Sequence, residues 1–327
     1  MKQKILITRA VFPEVIEHLS QHCEVDSNQS DEAFSEAELI RRLQGKAGVY
    51  ANPTTRMSAE VIRSAPGLRA ICNMAVGYNN IDVPAASAAG IMVTNTPDVL
   101  NETTADFGWT LLMATARRVT ESEQFLRAGL WKKWSYDDFM GVDVHGTMLG
   151  IIGMGRIGQA IARRSMGFNM KVIYNNRSRL APELEAEANN ARHVSREELL
   201  RNADHVVLVL PYSKESHHLI GATELAMMKP TATLINIARG GIVDDAALIE
   251  ALKAGKIAAA GLDVFENEPA FNLGFLGLSN VVLTPHIGSA SGPTRRAMAD
   301  CAADNLIAAL SGHRPPNLLN PEVFLQQ

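Results

Sequence analysis

At 327 residues, with 46% hydrophobic residues and a net charge of -4, the chain is long enough for two domains with separate cores and too acidic for a nucleic-acid footprint. No apolar stretch reaches the length of a membrane span, and the first residues lack the apolar core of a signal peptide. Cys23, Cys72 and Cys301 are scattered and form no metal or redox spacing, so the expectation is a soluble, cytoplasmic protein with no metal, membrane or nucleic-acid partner.

In chain order, residues 4–8 read as a buried strand and Pro13–His22 as a helix entered through proline. A helix over 36–43, a strand over 48–51, a serine-capped helix over 58–64 and a strand over 68–73 follow. This alternation predicts a parallel sheet with helices on its faces. The loop Met74-Ala75-Val76-Gly77-Tyr78 leaves the last of these strands; its small residues can turn amides toward an anion or form an ordinary turn. A short helix over 85–89 and a strand over 91–94 come next. Asn101 caps a long helix with acids in its first turn and Arg117 and Arg118 at its end. Ala105, Trp109, Leu112, Met113 and Ala116 line one face, so the helix should be buried and open a second domain. Residues 129–145 lack periodicity, and Trp131, Trp134, Tyr136 and Phe139 there fit either a surface loop or a subunit contact.

A short apolar strand over 149–152 leads into Gly153, Gly155 and Gly158, which have the G-x-G-x-x-G spacing, and Ile157, Ala160, Ile161 and Arg164 continue as an amphipathic helix. The first glycine allows the tight turn, the second lets backbone approach a pyrophosphate, and the third lets helix pack on strand. The phosphates would sit on the helix N-terminus, at the amides of Arg156 and Ile157. A plain strand-to-helix turn has the same pattern when taken alone. The second strand of the unit, 171–174, should end in an acid if the coenzyme were NAD, because a carboxylate there binds both ribose hydroxyls. The chain instead has Asn175-Asn176-Arg177-Ser178-Arg179 and no acid between Gly158 and Pro182. Planar guanidinium donors suit a dianionic phosphate, so Asn176, Arg177, Ser178 and Arg179 point to NADPH, with NADH as the other coenzyme; a solvated basic turn is the bland alternative.

Further strands are read over 205–210, 233–237, 258–264 and 281–283, with helices over 244–254 and 295–310. His217 and His218 adjoin one another, but sequence neighbours point apart and no acid or thiol stands beside them, so they read as surface residues. Arg239, Glu268 and His286 each lie just past an apolar strand, where side chains of an open parallel sheet face the ligand crevice. Together they suit hydride transfer to a 2-oxo acid. An arginine fork can hold the carboxylate and the carbonyl oxygen, an imidazolium can donate the proton, and a carboxylate beside the histidine keeps it charged.

At these residues the chain resembles the D-isomer-specific 2-hydroxyacid dehydrogenases. The matching stretches are MAVGYNN at 74–80, ETTADFGWTLL at 102–112, LGIIGMGRIG at 149–158, LPYSKESHHLI at 210–220, INIARGGIVDDAALIEAL at 235–252, AGLDVFENEP at 260–269 and PHIGSAS at 285–291. Within that family it is most similar to the glyoxylate/hydroxypyruvate reductases, which include 2-ketogluconate reductases. The resemblance implies an α/β fold of two doubly wound parallel-sheet domains. A flavodoxin-like substrate domain would be discontinuous, 1–100 plus 288–327, and a Rossmann-type dinucleotide-binding domain would span 101–287. It also implies that Arg239, Glu268 (rather than Glu266) and His286 are catalytic. The amides of Val76 and Gly77 would hold the substrate carboxylate, with Ser289 near the substrate. Thr104, Pro211, Ser216, Ile237, Ala238, Arg239, Asp263, His286 and Gly288 would touch the coenzyme, Asp263 at the nicotinamide amide. A homodimer through the dinucleotide-binding domain is implied as well. Without an appended regulatory domain, the chain is not expected to be a longer-type phosphoglycerate dehydrogenase. Another acid, such as phosphoglycerate or lactate, and a silent dinucleotide sensor remain as alternatives.

Overall fold

The computed structural model describes residues 2–325. The chain divides into two compact units, one made of the residues up to 100 with those from 291 on, the other of residues 101–290.

The first unit is built on a five-stranded parallel sheet of β1 (Gln3–Ile7), β2 (Cys23–Ser27), β3 (Gly48–Ala51), β4 (Ala70–Asn73) and β5 (Met92–Thr94), in the order β2-β1-β3-β4-β5. That is the flavodoxin-like order. Alternate residues of each inner strand go to opposite faces, and both faces are covered. Ile5, Ile7, Tyr50 and Cys72 pack under Val15 and Leu19 of the first helix and Ala299, Ala302, Ala303 and Leu306 of the helix Gly292–Leu310. Leu6, Val49, Ala51 and Ile71 pack under Leu39, Leu43, Val61 and Ile62. The sequence reading has no β2. As an edge strand, CEVDS buries only Cys23 fully and carries no apolar run.

The second unit has a seven-stranded parallel sheet of β6 (Met148–Ile152), β7 (Lys171–Asn175), β8 (Arg192–His193), β9 (His205–Leu208), β10 (Thr233–Asn236), β11 (Ala259–Leu262) and β12 (Val281–Leu283). Its order, β12-β11-β10-β9-β6-β7-β8, runs outward from β6 in one direction and then returns to β6's other side with β9. The reversal opens a crevice at the carboxyl ends of β6 and β9, the place where open α/β sheets bind ligands. The helix Asn101–Ala116 belongs to this unit and is buried through Ala105, Trp109, Leu111 and Leu112. Trp109 stacks on Phe168 at 4.7 Å, and its indole N–H donates to the Ile161 carbonyl at 3.0 Å. The helix stops two residues before Arg118, which is in the left-handed region (φ 52°), and a separate helix, Val119–Arg127, starts after it. No helix among the described residues is long and apolar enough to cross a membrane.

Candidate active site

The turn from β6 into the helix Arg156–Arg164 has the shape that its glycines dictate. Gly153 has φ 102°, and a Cβ there would lie 2.6 Å from the Val209 carbonyl oxygen just past β9. A Cβ on Gly158 would lie 2.3 Å from the Gly153 carbonyl oxygen. Gly155 is different: nothing lies within 4 Å of its Cβ position, and it is exposed at the helix start. Two glycines close the turn and the third leaves backbone open beside the helix N-terminus, which is the arrangement a pyrophosphate needs. Arg156 is exposed and Ile157 half-buried at the same end.

The turn after β7 is divided in its roles. Arg179 donates from Nε and Nη2 to the Glu185 carboxylate at 2.9 and 2.8 Å, and the Tyr174 hydroxyl donates to the same carboxylate at 2.7 Å. These bonds hold the Glu185 carboxyl down to about 2. The Leu180 amide donates to the Tyr174 oxygen at 2.8 Å, which fixes the end of the turn, and His193 Nε2 lies 3.2 Å from the Asn176 carbonyl at its start. The absence of an acid before Pro182 is therefore offset by one three residues later that folds back. Arg177 and Ser178 are exposed; Arg177 feels the charge of Glu215 at a distance, and neither is engaged by Glu185 as Arg179 is.

The segments that leave three neighbouring strands, β10, β11 and β12, carry Arg239, Glu268 and His286. The Asn236 side chain accepts from the Ala238 amide at 3.0 Å and donates to the Arg239 carbonyl at 3.3 Å, while Arg239 Nη1 donates to the Ala238 carbonyl at 2.7 Å. Burial pushes the Arg239 pKa down and the charge of Glu268 opposes it; an arginine stays charged through such a shift. Glu268 accepts from the Phe265 amide at 2.7 Å through Oε1 and lies 2.8 Å from His286 Nδ1 through Oε2. Burial alone would raise the Glu268 pKa, but the bond and charge of His286, the Phe265 amide and Arg239 outweigh it, and the net shift is downward. An ionised carboxylate only accepts, so Nδ1 carries the proton of that bond and Nε2 is left for a substrate.

Asp263, at the end of β11, holds the histidine's turn in place. Its carboxylate accepts from the Thr284 hydroxyl at 2.7 Å and from the Ile287 and Gly288 amides, both at 2.8 Å. The His286 amide donates to the Asp263 carbonyl at 2.9 Å, and His286 itself is left-handed at φ 54°, a conformation that costs a non-glycine residue about 1 kcal/mol or more. Burial lifts the Asp263 pKa against the pull of those donors. The Thr104 hydroxyl is buried with no hydrogen-bond partner among the described residues, and its methyl group lies 3.7 Å from the Cβ position of Gly288. An orphaned buried hydroxyl beside Gly288, with open backbone at Gly155, fits a bound dinucleotide.

A model of the D-isomer specific 2-hydroxyacid dehydrogenase NAD binding domain matches residues 109–288. The glyoxylate reductases of Thermococcus gammatolerans and Pyrococcus horikoshii are each 49% identical to this chain, covering 99% of it and 97% and 98% of their own lengths. The chain belongs to the D-isomer-specific 2-hydroxyacid dehydrogenases. Among solved structures, the NADPH-dependent glyoxylate/hydroxypyruvate reductase of Sinorhizobium meliloti in complex with NADP and malonate is similar at a TM-score of 0.88 and 34% identity, covering 98% of this chain and 97% of that one. This 2-hydroxyacid dehydrogenase is accordingly an oxidoreductase.

Other expected contacts in the dehydrogenase are positioned by their own bonds. Ser216 is buried and its hydroxyl is shared among the Ser213 amide and the Pro211 and Ser213 carbonyls, so it shapes the loop after β9. Ile237 and Ala238 are buried at the end of β10, Pro211 is exposed, and Ser289 is half-buried next to Gly288. In the first unit, the Val76 and Gly77 carbonyls accept from Asn95 and Asn73 at 2.8 and 2.9 Å. Their amides donate to no group among the described residues.

The two histidines are exposed, as the sequence reading expects, but an acid does stand beside them. His218 is left-handed (φ 50°), which swings its ring onto that of His217 with centroids 3.9 Å apart, and Glu266, 48 residues away in sequence, lies 2.5 Å from His218 Nε2. A carboxylate does accompany them, brought by the loop after β11.

Gly240 ties the segments that carry Arg239 and Glu268 together. A Cβ there would lie 1.7 Å from the Phe265 carbonyl oxygen, and Phe265 in turn holds Glu268. Gly240→Ala is expected to lower kcat by about 10²-fold, the scale of a misplacement near 1 Å, with a lower Tm; unchanged kinetics would show that the contact is not limiting.

Proposed function

We propose that this dehydrogenase reduces glyoxylate, and by the same chemistry hydroxypyruvate and 2-ketogluconate, to D-2-hydroxy acids, preferring NADPH over NADH and working as a cytoplasmic homodimer. The observation that carries the reading is the convergence of Arg239, Glu268 and His286 on three adjacent strand ends, with the imidazole and carboxylate 2.8 Å apart.

When bound, a nicotinamide coenzyme would supply hydride for the carbonyl carbon. Arg239 holds the substrate carboxylate and polarises the carbonyl oxygen through its forked donors. His286 gives the Nε2 proton to that oxygen as the negative charge forms, so that C=O becomes CH–OH with one hydride and one proton consumed. Glu268 orients the ring and stabilises the imidazolium. Asp263 holds the His286 turn, and Thr104 offers its buried hydroxyl to the nicotinamide end. Arg177 and Ser178 bind the 2'-phosphate, and the unengaged amides of Val76 and Gly77 suit a carboxylate. The exposed Trp131, Trp134 and Tyr136, 57%, 76% and 81% accessible, form the kind of apolar patch that a second copy would cover.

The kinetics of Glu268→Gln test the pairing. The lowered Glu268 pKa means that the carboxylate is anionic at neutral pH, where it can only accept and so holds the His286 Nδ1 proton in place. Glu268→Gln is expected to lower kcat while leaving the coenzyme KM in place. An unchanged kcat would contradict the role of Glu268.

A further inference from the structure

We infer that His217, His218 and Glu266 form a binding site for a divalent transition cation, zinc above all, separate from the catalytic pair. One ligand atom from each of the three lies within 4.8 Å of the other two. Two imidazole nitrogens and a carboxylate oxygen are a zinc donor set, and three protein ligands with an open fourth side are its usual form where the site faces solvent. Bound ligand atoms stand roughly 3.3 Å apart around a tetrahedral ion with bonds near 2.0–2.1 Å, so side-chain rotation opens the hydrogen-bonded His218–Glu266 pair to admit the ion between them.

The surroundings hold these ligands as outer partners hold a metal site. The Tyr212 hydroxyl lies 3.2 Å from His217 Nδ1, and Asp244 Oδ2 lies 3.9 Å from His218 Nδ1. The His218 amide donates to the Gly241 carbonyl at 2.7 Å, and the Glu266 amide donates to the Asp245 carboxylate at 3.1 Å. Both backbones are fixed before any ion arrives. The ligands come from two loops, one carrying Ser216 and the other Glu268, so an ion there staples the loop after β9 to the loop after β11 and raises the thermal midpoint of the folded protein by mass action.

The test is equilibrium dialysis of the full chain against zinc chloride, with metal content and Tm read for the wild type, His218→Ala, Glu266→Gln and His286→Asn. The site predicts one zinc per chain and a raised Tm in the wild type, loss of that zinc and of the Tm increment in the first two variants, and retention in His286→Asn. Cobalt(II) should give visible bands of a tetrahedral nitrogen and oxygen site, again lost in the first two. No bound metal in the wild type, or equal binding in His218→Ala and Glu266→Gln, would overturn it. Loss of zinc only in His286→Asn would assign the ion to the catalytic pair and overturn it equally. The result does not depend on which 2-oxo acid the enzyme reduces.

Discussion

His286→Asn is expected to reduce kcat/KM for 2-oxo acid reduction by at least about 10²-fold, the low end of general-acid catalysis. Asparagine suits the test because it tolerates the left-handed backbone at this position and its amide can still donate to Glu268, but it has no proton to give at neutral pH. The fold and the coenzyme KM should therefore be preserved while the chemical step is lost. Arg239→Ala should cost as much for a different reason. It removes the charge-assisted fork that holds carboxylate and carbonyl oxygen, and takes away one of the two positive groups beside Glu268. The signature separates the two: Arg239→Ala should raise substrate KM as well as lower kcat, whereas His286→Asn should act chiefly on kcat. Near-wild-type rates in both variants would remove the catalytic assignment.

The second large effect concerns coenzyme choice, where the structure divides two arginines that look equivalent in sequence. Arg177→Ala should raise KM for NADPH by about tenfold or more and leave NADH almost unchanged, since a charge-assisted hydrogen bond of about 1.5–3 kcal/mol is removed only from the phosphorylated coenzyme. Arg179→Ala should behave differently. Its guanidinium is engaged by Glu185, so its loss leaves a carboxylate paired only with Tyr174 and loosens the whole turn. Both coenzymes should bind less well, with a lower Tm. Measuring the two KM values for each variant checks this directly, and equal losses in Arg177→Ala would mean that the turn does not read the phosphate.

Much of this architecture is legible in residues that can have only one reason to be where they are. Gly153 and Gly158 are needed because a Cβ would strike backbone, and the apolar runs before Arg239 and His286 are strands, the first buried throughout and the second, at the sheet edge, buried through Val282. What sequence reasoning misses depends on contacts made at a distance. β2 has no apolar run because an edge strand needs only one good partner. The long helix ends at Ala116, close to the arginines expected at its end, but the helix Val119–Arg127 that starts after left-handed Arg118 is absent from the sequence reading. Glu185 reaches back to Arg179 across a turn, and Glu266 meets His218 from another strand end. Only the folded sheet brings the β9 and β11 loops together, so the His218–Glu266 pairing has no local pattern to read. The ranking of 2-oxo acids also has no local signature, because it depends on the shape of a pocket rather than on a motif.

The central claim is the reaction itself, and initial rates of NADPH and NADH oxidation with glyoxylate, hydroxypyruvate and 2-ketogluconate test it most directly. The account predicts turnover with glyoxylate and a higher kcat/KM with NADPH than with NADH. Measurable NADPH binding with no turnover of any of the three acids would contradict it.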